Sequence, residues 1–270
     1  MGPDARPFDL TAAEAYERFL VPKLNAPQAR EAVAMASLLP GQHVLDVACG
    51  TGIAIRLALP HLVPGGRAAG LDFDPAMIAV ARSIVPRPDN VELDWHCASA
   101  MEMPFDSAIF DSAFCLQGLQ FLPDCTKGLC EIRRVMKLDG RLVAIVWNAL
   151  ERCKGHHAIV RALTLYKIDP APMMKALSMG NADRLQACAG NAGFRDATVR
   201  AVASSVRFPS ARHFVEALAA GGPASRHALS KVPQHQRAAF HDEIASSLKQ
   251  YEDGDGVAIP VEYLVLEARA

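Results

Sequence analysis

The residues most able to do chemistry form one run, His43-Val-Leu-Asp46-Val-Ala48-Cys49-Gly50-Thr51-Gly52, answered by Asp72 twenty positions beyond Gly52. An apolar run that closes on glycines is how a buried strand turns into a helix. The glycines let the backbone approach a ligand closely, and the helix start leaves N–H groups free. An acid closing the next strand, as Asp72 does, can accept hydrogen bonds from both ribose hydroxyls, so a nucleoside-containing ligand is expected. Two cofactor classes share that geometry, dinucleotides and S-adenosylmethionine. A dinucleotide fingerprint puts its third glycine, or an alanine, at position 55, where this chain has Ile55. Asp46, inside the strand just before the turn, would oppose a pyrophosphate but suits a ligand end that carries an ammonium and a sulfonium. It is read either as holding that ammonium, directly or through water, or as ordering the glycine turn.

These residues need a scaffold of alternating elements. Strands are expected over 43–48, 67–72, 91–96, 110–116 and 140–147, with helices over 53–62, 75–84 and 126–136 between them. The second helix has Pro75 at its first position after Asp74 as cap, and the third carries Leu129, Ile132, Arg133 and Met136 on one face. The residues from Lys137 to Gly140 read as a helix stop and turn. Alternation of this kind predicts an α/β, Rossmann-like fold, a mostly parallel sheet with helices on both faces. A helix over 183–191 and strands over 197–208 and 261–268 would complete the sheet, while Glu252–Gly256 reads as an exposed loop. One domain is expected, 1–270, with its core at about 41–150, 181–208 and 258–270. A helical cap, built from the N-terminus and insertions, takes about 1–40, 151–180 and 209–257, and Ser210 caps one of its helices.

In that order and spacing the sequence resembles the class I S-adenosylmethionine-dependent methyltransferases, and among them the ubiquinone and menaquinone biosynthesis group. The resemblance rests on Val44–Gly52, Gly70–Met77, Ala100–Phe105, Phe110-Asp111, Gln117–Asp124 and Arg133–Arg141, across residues 43–147. It implies a seven-stranded sheet with a reversed final strand and S-adenosylmethionine as cofactor, leaving S-adenosylhomocysteine as product. Position by position, it implies that Asp46, Ala48, Gly50 and Gly52 surround the methionine part and that Asp72 binds the ribose. Phe73 and Met77 would pack by the adenine, Ser99, Ala100 and Met101 would read its amino group, and Gln117 would face the methyl group. Core packing is the competing reading of Phe73, Met77 and Met101. Two positions depart from the family pattern: Ala48 replaces the usual first glycine, tolerable if that residue needs no positive φ, and Ser99 stands where Asp is frequent. The implied reaction is methyl transfer to a small, hydrophobic acceptor by in-line displacement. The alternatives are a nicotinamide-dependent oxidoreductase and a non-catalytic cofactor-binding regulatory protein.

No residue declares itself a catalytic base. His156 and His157, shortly after the fifth strand, are candidates, as are His213 and His227. Tyr16 lies on an amphipathic stretch, 12–19, where related enzymes close a lid over the cofactor. The 270 residues are 51% hydrophobic and 21% charged, with 28 Lys and Arg against 29 Asp and Glu, so a sizeable core is expected and no field that gathers polyanions. Arg133 and Arg134 read as a solvated helix face, and no nucleic-acid partner is expected. Seven cysteines without a C-x-x-C pair predict no metal site and a reducing compartment. The first ten residues, with Asp4, Arg6 and Asp9, read as neither a signal peptide nor a myristoylation site, so the expected location is the cytoplasm. No apolar run is long enough to span a membrane. The expected oligomeric state is monomer or homodimer.

Overall fold

Strands buried on both faces read as continuous apolar runs; three such runs and a fourth, edge strand of alternating burial pair in parallel. They are β1 (His43–Val47), β2 (Gly66–Asp72), β3 (Val91–Cys97) and β4 (Phe110–Leu116). The computed structural model describes residues 10–270 and adds β5 (Met136–Trp147), β6 (Arg195–Phe208), β7 (Glu252–Asp253) and β8 (Gly256–Arg269). Together they form an eight-stranded sheet in the order β3-β2-β1-β4-β5-β8-β6, with β7 paired to β8 off that path. The resemblance implies seven strands. The eighth is the two-residue β7, so the stretch expected as a loop at 252–256 is a hairpin. β8 runs opposite to β5: the N–H of Asp139 donates to the carbonyl of Ala270, and that of Asn148 to the carbonyl of Glu262. The reversed strand is thus present.

Local chemistry sets the helix starts. The carboxylate of Asp74 accepts the Ala76 N–H at 2.8 Å and opens the helix Pro75–Ile84, while Asp124 accepts the Lys127 N–H at 3.0 Å and opens Cys125–Val135. β5 begins at once after that helix. Its pairing steps from Phe110↔Met136 to Ser112↔Arg141, so the residues from Lys137 to Gly140, expected as a turn, form a bulge inside the strand. Lys137 Nζ lies 2.8 and 2.9 Å from the Asp111 carboxylate, which also accepts the His43 N–H at 2.8 Å. Asp111 therefore ties together the starts of β1, β4 and β5.

The chain divides into two compact units. One comprises residues 25–146, 181–201 and 264–270; the other, of the described residues, comprises 10–24, 147–180 and 202–263. Residues 25–40, expected in the cap, belong to the first unit, because the helix Ala26–Ala36 packs on the helix Ile53–Leu62. Its small buried face of Ala29, Ala32, Val33 and Ala36 allows that close approach. The core of this unit is Leu45, Ile55, Leu71, Phe110, Phe114 and Ile132.

The second unit is mainly helical. Thr11 and Glu14 form a capping box on the short helix Ala12–Ala15, which continues as a π-helix, Tyr16–Asn25, with Pro22 inside it. The helices Lys154–Leu165, Ala211–Gly221 and Arg237–Leu248 pack together. Ser210 accepts the His213 N–H and caps the second of them, as expected. A Cβ on Gly221 would lie 2.4 Å from the Tyr16 nitrogen, so the two backbones touch there. Asp4, Arg6, Asp9 and the rest of 1–9 lie outside the described residues. Among the described residues no helix is long and apolar enough to cross a membrane, and no group of three or more His, Cys, Asp or Glu is placed to hold a metal ion.

Candidate cofactor site

β1 to β4 are parallel, so their C-terminal ends share one edge of the sheet. The chain builds outward from β1 to β2 and β3, then crosses back to β4 on the other side of β1. Open α/β sheets bind ligands where the order reverses in this way. That edge carries residues 46–52 after β1, 72–74 after β2, 98–101 after β3 and 117–121 after β4.

Asp72 organises the edge. Its Oδ2 accepts the Gly50 N–H at 2.8 Å and its Oδ1 accepts the Asp74 N–H at 2.9 Å, leaving each oxygen further acceptor capacity. Burial pushes its carboxyl above the usual range, against the opposing effect of those two N–H donors. Asp46 is 2% exposed, and its carboxylate accepts no hydrogen bond among the described residues. Burial first, and the Asp72 charge second, hold its carboxyl well above the ordinary range. The buried Cys49 thiol is raised by burial and by both acids.

Ala48 has φ +56, in the left-handed region, so the condition that would make alanine harmless there is not met. Gln117 is strained in the same way, at φ +60. The two meet at Gly118, where an added Cβ would lie 2.6 Å from the Ala48 Cβ and 2.8 Å from the Cys115 Sγ. Gln117 is also the middle of a chain of amides that sequence reasoning missed. Gln120 Nε2 donates to Gln117 Oε1 at 2.9 Å, and Gln117 Nε2 donates to Gln28 Oε1 at 3.0 Å, with Gln28 and Gln120 both buried. A glutamine amid the alanines of the helix Ala26–Ala36 was the available signal.

Gly50 and Gly52 adopt φ +54 and +82. At Gly52 an added Cβ would lie 2.5 Å from the Trp95 ring, which also covers Gly70, so the chain's own packing requires glycine there. Phe73 is 82% exposed, which removes core packing as its explanation, whereas Met77 and Ala100 are buried and Met101 is half-buried. Ser99 is exposed, and its Oγ accepts the Met101 N–H at 3.1 Å. The segment that follows is clamped from the helix Cys125–Val135. Arg134 donates to the carbonyls of Phe105 at 2.9 Å and Met103 at 3.3 Å and pairs with Glu131, which accepts the Met103 N–H at 2.8 Å. Arg134, read from sequence as solvated, thus positions the Met103–Phe105 segment; Arg133 is exposed.

Residues 45–144 match the family model described as a methyltransferase domain. This stretch is a methyltransferase domain. It contains Asp46, the glycine turn, Asp72, Ser99–Met101 and Gln117. The chain is 34% identical over 119 residues to demethylmenaquinone methyltransferase of Symbiobacterium thermophilum, covering 43% of this chain and 47% of that one. It is 29% identical over 168 residues to the O-methyltransferase resE of Aspergillus sclerotiorum, covering 62% of this chain and 60% of that one. The chain thus spans about half the length of the curated relatives it matches. Among solved structures, phosphoethanolamine N-methyltransferase 2 of Haemonchus contortus, in complex with S-adenosyl-L-methionine, superposes with a TM-score of 0.60 at 21% identity, over 95% of this chain and 56% of that one. The fold is the class I methyltransferase fold.

The three candidate catalytic side chains lie outside the methyltransferase domain, in the second unit. His156 is buried against Trp147 and Phe214, at ring-centroid distances of 5.5 and 6.3 Å, and burial lowers it to about 4, so it is a neutral ring in an apolar box. His157, its neighbour, points instead into a polar groove with Lys154 and Arg161. Tyr16 is half-buried at the start of the π-helix.

Proposed function

We propose that this chain transfers a methyl group from S-adenosylmethionine to a small hydrophobic acceptor. The observation that carries the reading is the buried, unpartnered carboxylate of Asp46 beside the glycine turn that Asp72 holds. A buried charge without a partner is costly, and a ligand ammonium beside it offsets that cost. The residues present fit the cofactor. Asp46 would hold the ammonium, directly or through water, and the spare lone pairs of Asp72 would take the ribose hydroxyls. The exposed Phe73 with Met77, Ser99, Ala100 and Met101 would receive the adenine, and Ala48, Gly50 and Gly52 form the turn around the methionine part. Gln117 would face the reacting end. When bound, S-adenosylmethionine supplies an electrophilic methyl on a positive sulfur.

The chain's part is to bind and orient. Holding two reactants in line lowers such barriers by roughly 7–11 kcal/mol in favourable cases. A base is needed only where the acceptor must lose a proton, which is why a neutral His156 does not oppose the reading. The relatives' names, demethylmenaquinone methyltransferase and O-methyltransferase, favour a hydrophobic small molecule over a nucleic acid as acceptor. We place the protein in the cytoplasm, where the seven free cysteines would stay reduced. The nicotinamide alternative is disfavoured because Ile55, at the position that needs a small residue, is wholly buried in the core.

Calorimetric titration with S-adenosylmethionine, S-adenosylhomocysteine and NAD tests this. The sulfur compounds should bind and NAD should not, and Asp72→Ala should weaken binding by at least about tenfold with the circular dichroism spectrum kept. Binding of NAD alone, or no binding at all, overturns the reading. Binding without S-adenosylhomocysteine release across acceptors would make the protein a regulatory binder.

A further inference from the structure

The polar groove that holds His157 lies within the helical unit, and the proposed methyl transfer does not use it. Its volume is about 170 Å³. One wall is a single stripe of the helix Lys154–Leu165, where Lys154, His157 and Arg161 follow one another at i, i+3 and i+7. The facing wall is the end of the helix Arg237–Leu248 and the turn after it, which contribute Ser247, Gln250 and Tyr251, with the apolar Ala158 and Leu248 completing the lining.

Every polar side chain here can donate a hydrogen bond, and no carboxylate is part of the lining. Lys154 spends one donor on the carbonyl of Glu151, at 2.8 Å. The side chains of His157, Arg161, Ser247, Gln250 and Tyr251 make no hydrogen bond or ion pair among the described residues. Elsewhere the structure pairs its guanidinium groups readily: Arg134 with Glu131, Arg195 with Asp139, Arg200 with Glu31, Arg207 with Asp253 and Arg212 with Glu216. The chain as a whole has a net charge of −1, so this convergence of donors does not follow from a basic composition.

We propose that the groove binds a phosphate monoester. Arg161 would give a forked pair of N–H groups to two phosphate oxygens, Lys154 would act as a point charge, and His157, Ser247, Gln250 and Tyr251 would complete the shell. Ala158 and Leu248 add apolar surface to the lining, which suits a phosphate with a short organic stem. The proposal is independent of the cofactor reading.

The source of the phosphate is either a soluble metabolite or a lipid headgroup, and two assays separate them. The full chain is titrated calorimetrically with glycerol 3-phosphate at low ionic strength, and floated with phosphatidylcholine vesicles with and without phosphatidic acid. Saturable binding in the first assay assigns a soluble monoester, and flotation that requires phosphatidic acid assigns a headgroup. In whichever assay binds, Arg161→Gln should weaken binding by at least about tenfold, and Lys154→Gln should weaken it further in combination. The circular dichroism spectrum and urea midpoint of both variants should match those of the unsubstituted chain, which shows that they fold. Absence of binding in both assays, or wild-type affinity in Arg161→Gln, overturns the proposal.

Discussion

Replacing Gly118 by alanine tests how the chain accommodates Ala48. Gly118 has an ordinary φ of −102, so backbone conformation does not demand glycine there. Space does, since a Cβ at 118 would lie 2.6 Å from the Ala48 methyl and 2.8 Å from the Cys115 Sγ. The thiol can rotate away, but the methyl is fixed to the backbone. Overpacking of this kind costs about 1–3 kcal/mol, and that range is expected for Gly118→Ala alone. Ala48→Gly alone removes a left-handed alanine worth about 1–2 kcal/mol and adds about 0.5–1 kcal/mol of unfolded-chain entropy, for a net gain of about 0.5 kcal/mol. In the double variant the methyl is gone, so at least about 1 kcal/mol of the Gly118→Ala cost should disappear. Urea unfolding of the four proteins, followed by tryptophan fluorescence and circular dichroism, completes the cycle. Additivity within about 0.5 kcal/mol would refute the steric link between the ends of β1 and β4.

The two perturbed buried groups give opposite pH dependences. The Asp46 carboxyl is raised in the folded state, so its contribution to stability is full below the ordinary carboxylate range and is lost as pH rises through the raised value. Asp46→Asn should flatten the fall in urea midpoint between acid and neutral pH, and parallel profiles for the two proteins would show that Asp46 does not titrate as described. His156 is lowered from 6.5 to about 4 by burial, so its contribution is full above the unfolded value and is lost as pH falls through about 4, about 3 kcal/mol in all. His156→Leu should keep the packing on Trp147 and Phe214 and relieve acid sensitivity between those values, and an imidazole titration seen by NMR between pH 5 and 8 would contradict the apolar box.

Where local chemistry and burial agree, the sequence is legible. β1, β2 and β4 and the helices Ile53–Leu62 and Pro75–Ile84 lie within a residue of their expected bounds, because apolar runs mark buried parallel strands and Asp74-Pro75 marks a helix start. The bulge in β5 was not legible, since Lys137-Leu-Asp-Gly140 carries turn residues and only pairing with β4 makes it strand. The same holds for the π-helix, whose Pro22 reads as an interruption, and for the helix Ala26–Ala36, whose unit is decided by what its alanines touch. At the candidate site, the glycines and Asp72 could be picked out by type and spacing. The φ of Ala48, the clamp from Arg134 and the partners of Gln117 depend on residues far away in the chain.

The chain of amides through Gln28, Gln117 and Gln120 carries direction without charge. Gln117 presents an acceptor to Gln120 and a donor to Gln28, so turning it over alone would set like against like at both of its contacts. Reversal requires all three to flip in concert. Because none of them ionises, the pattern of donor and acceptor at position 117 is the same in acid as in base. A surface built this way selects for the shape and polarity of what approaches it, and acidity leaves that preference unchanged.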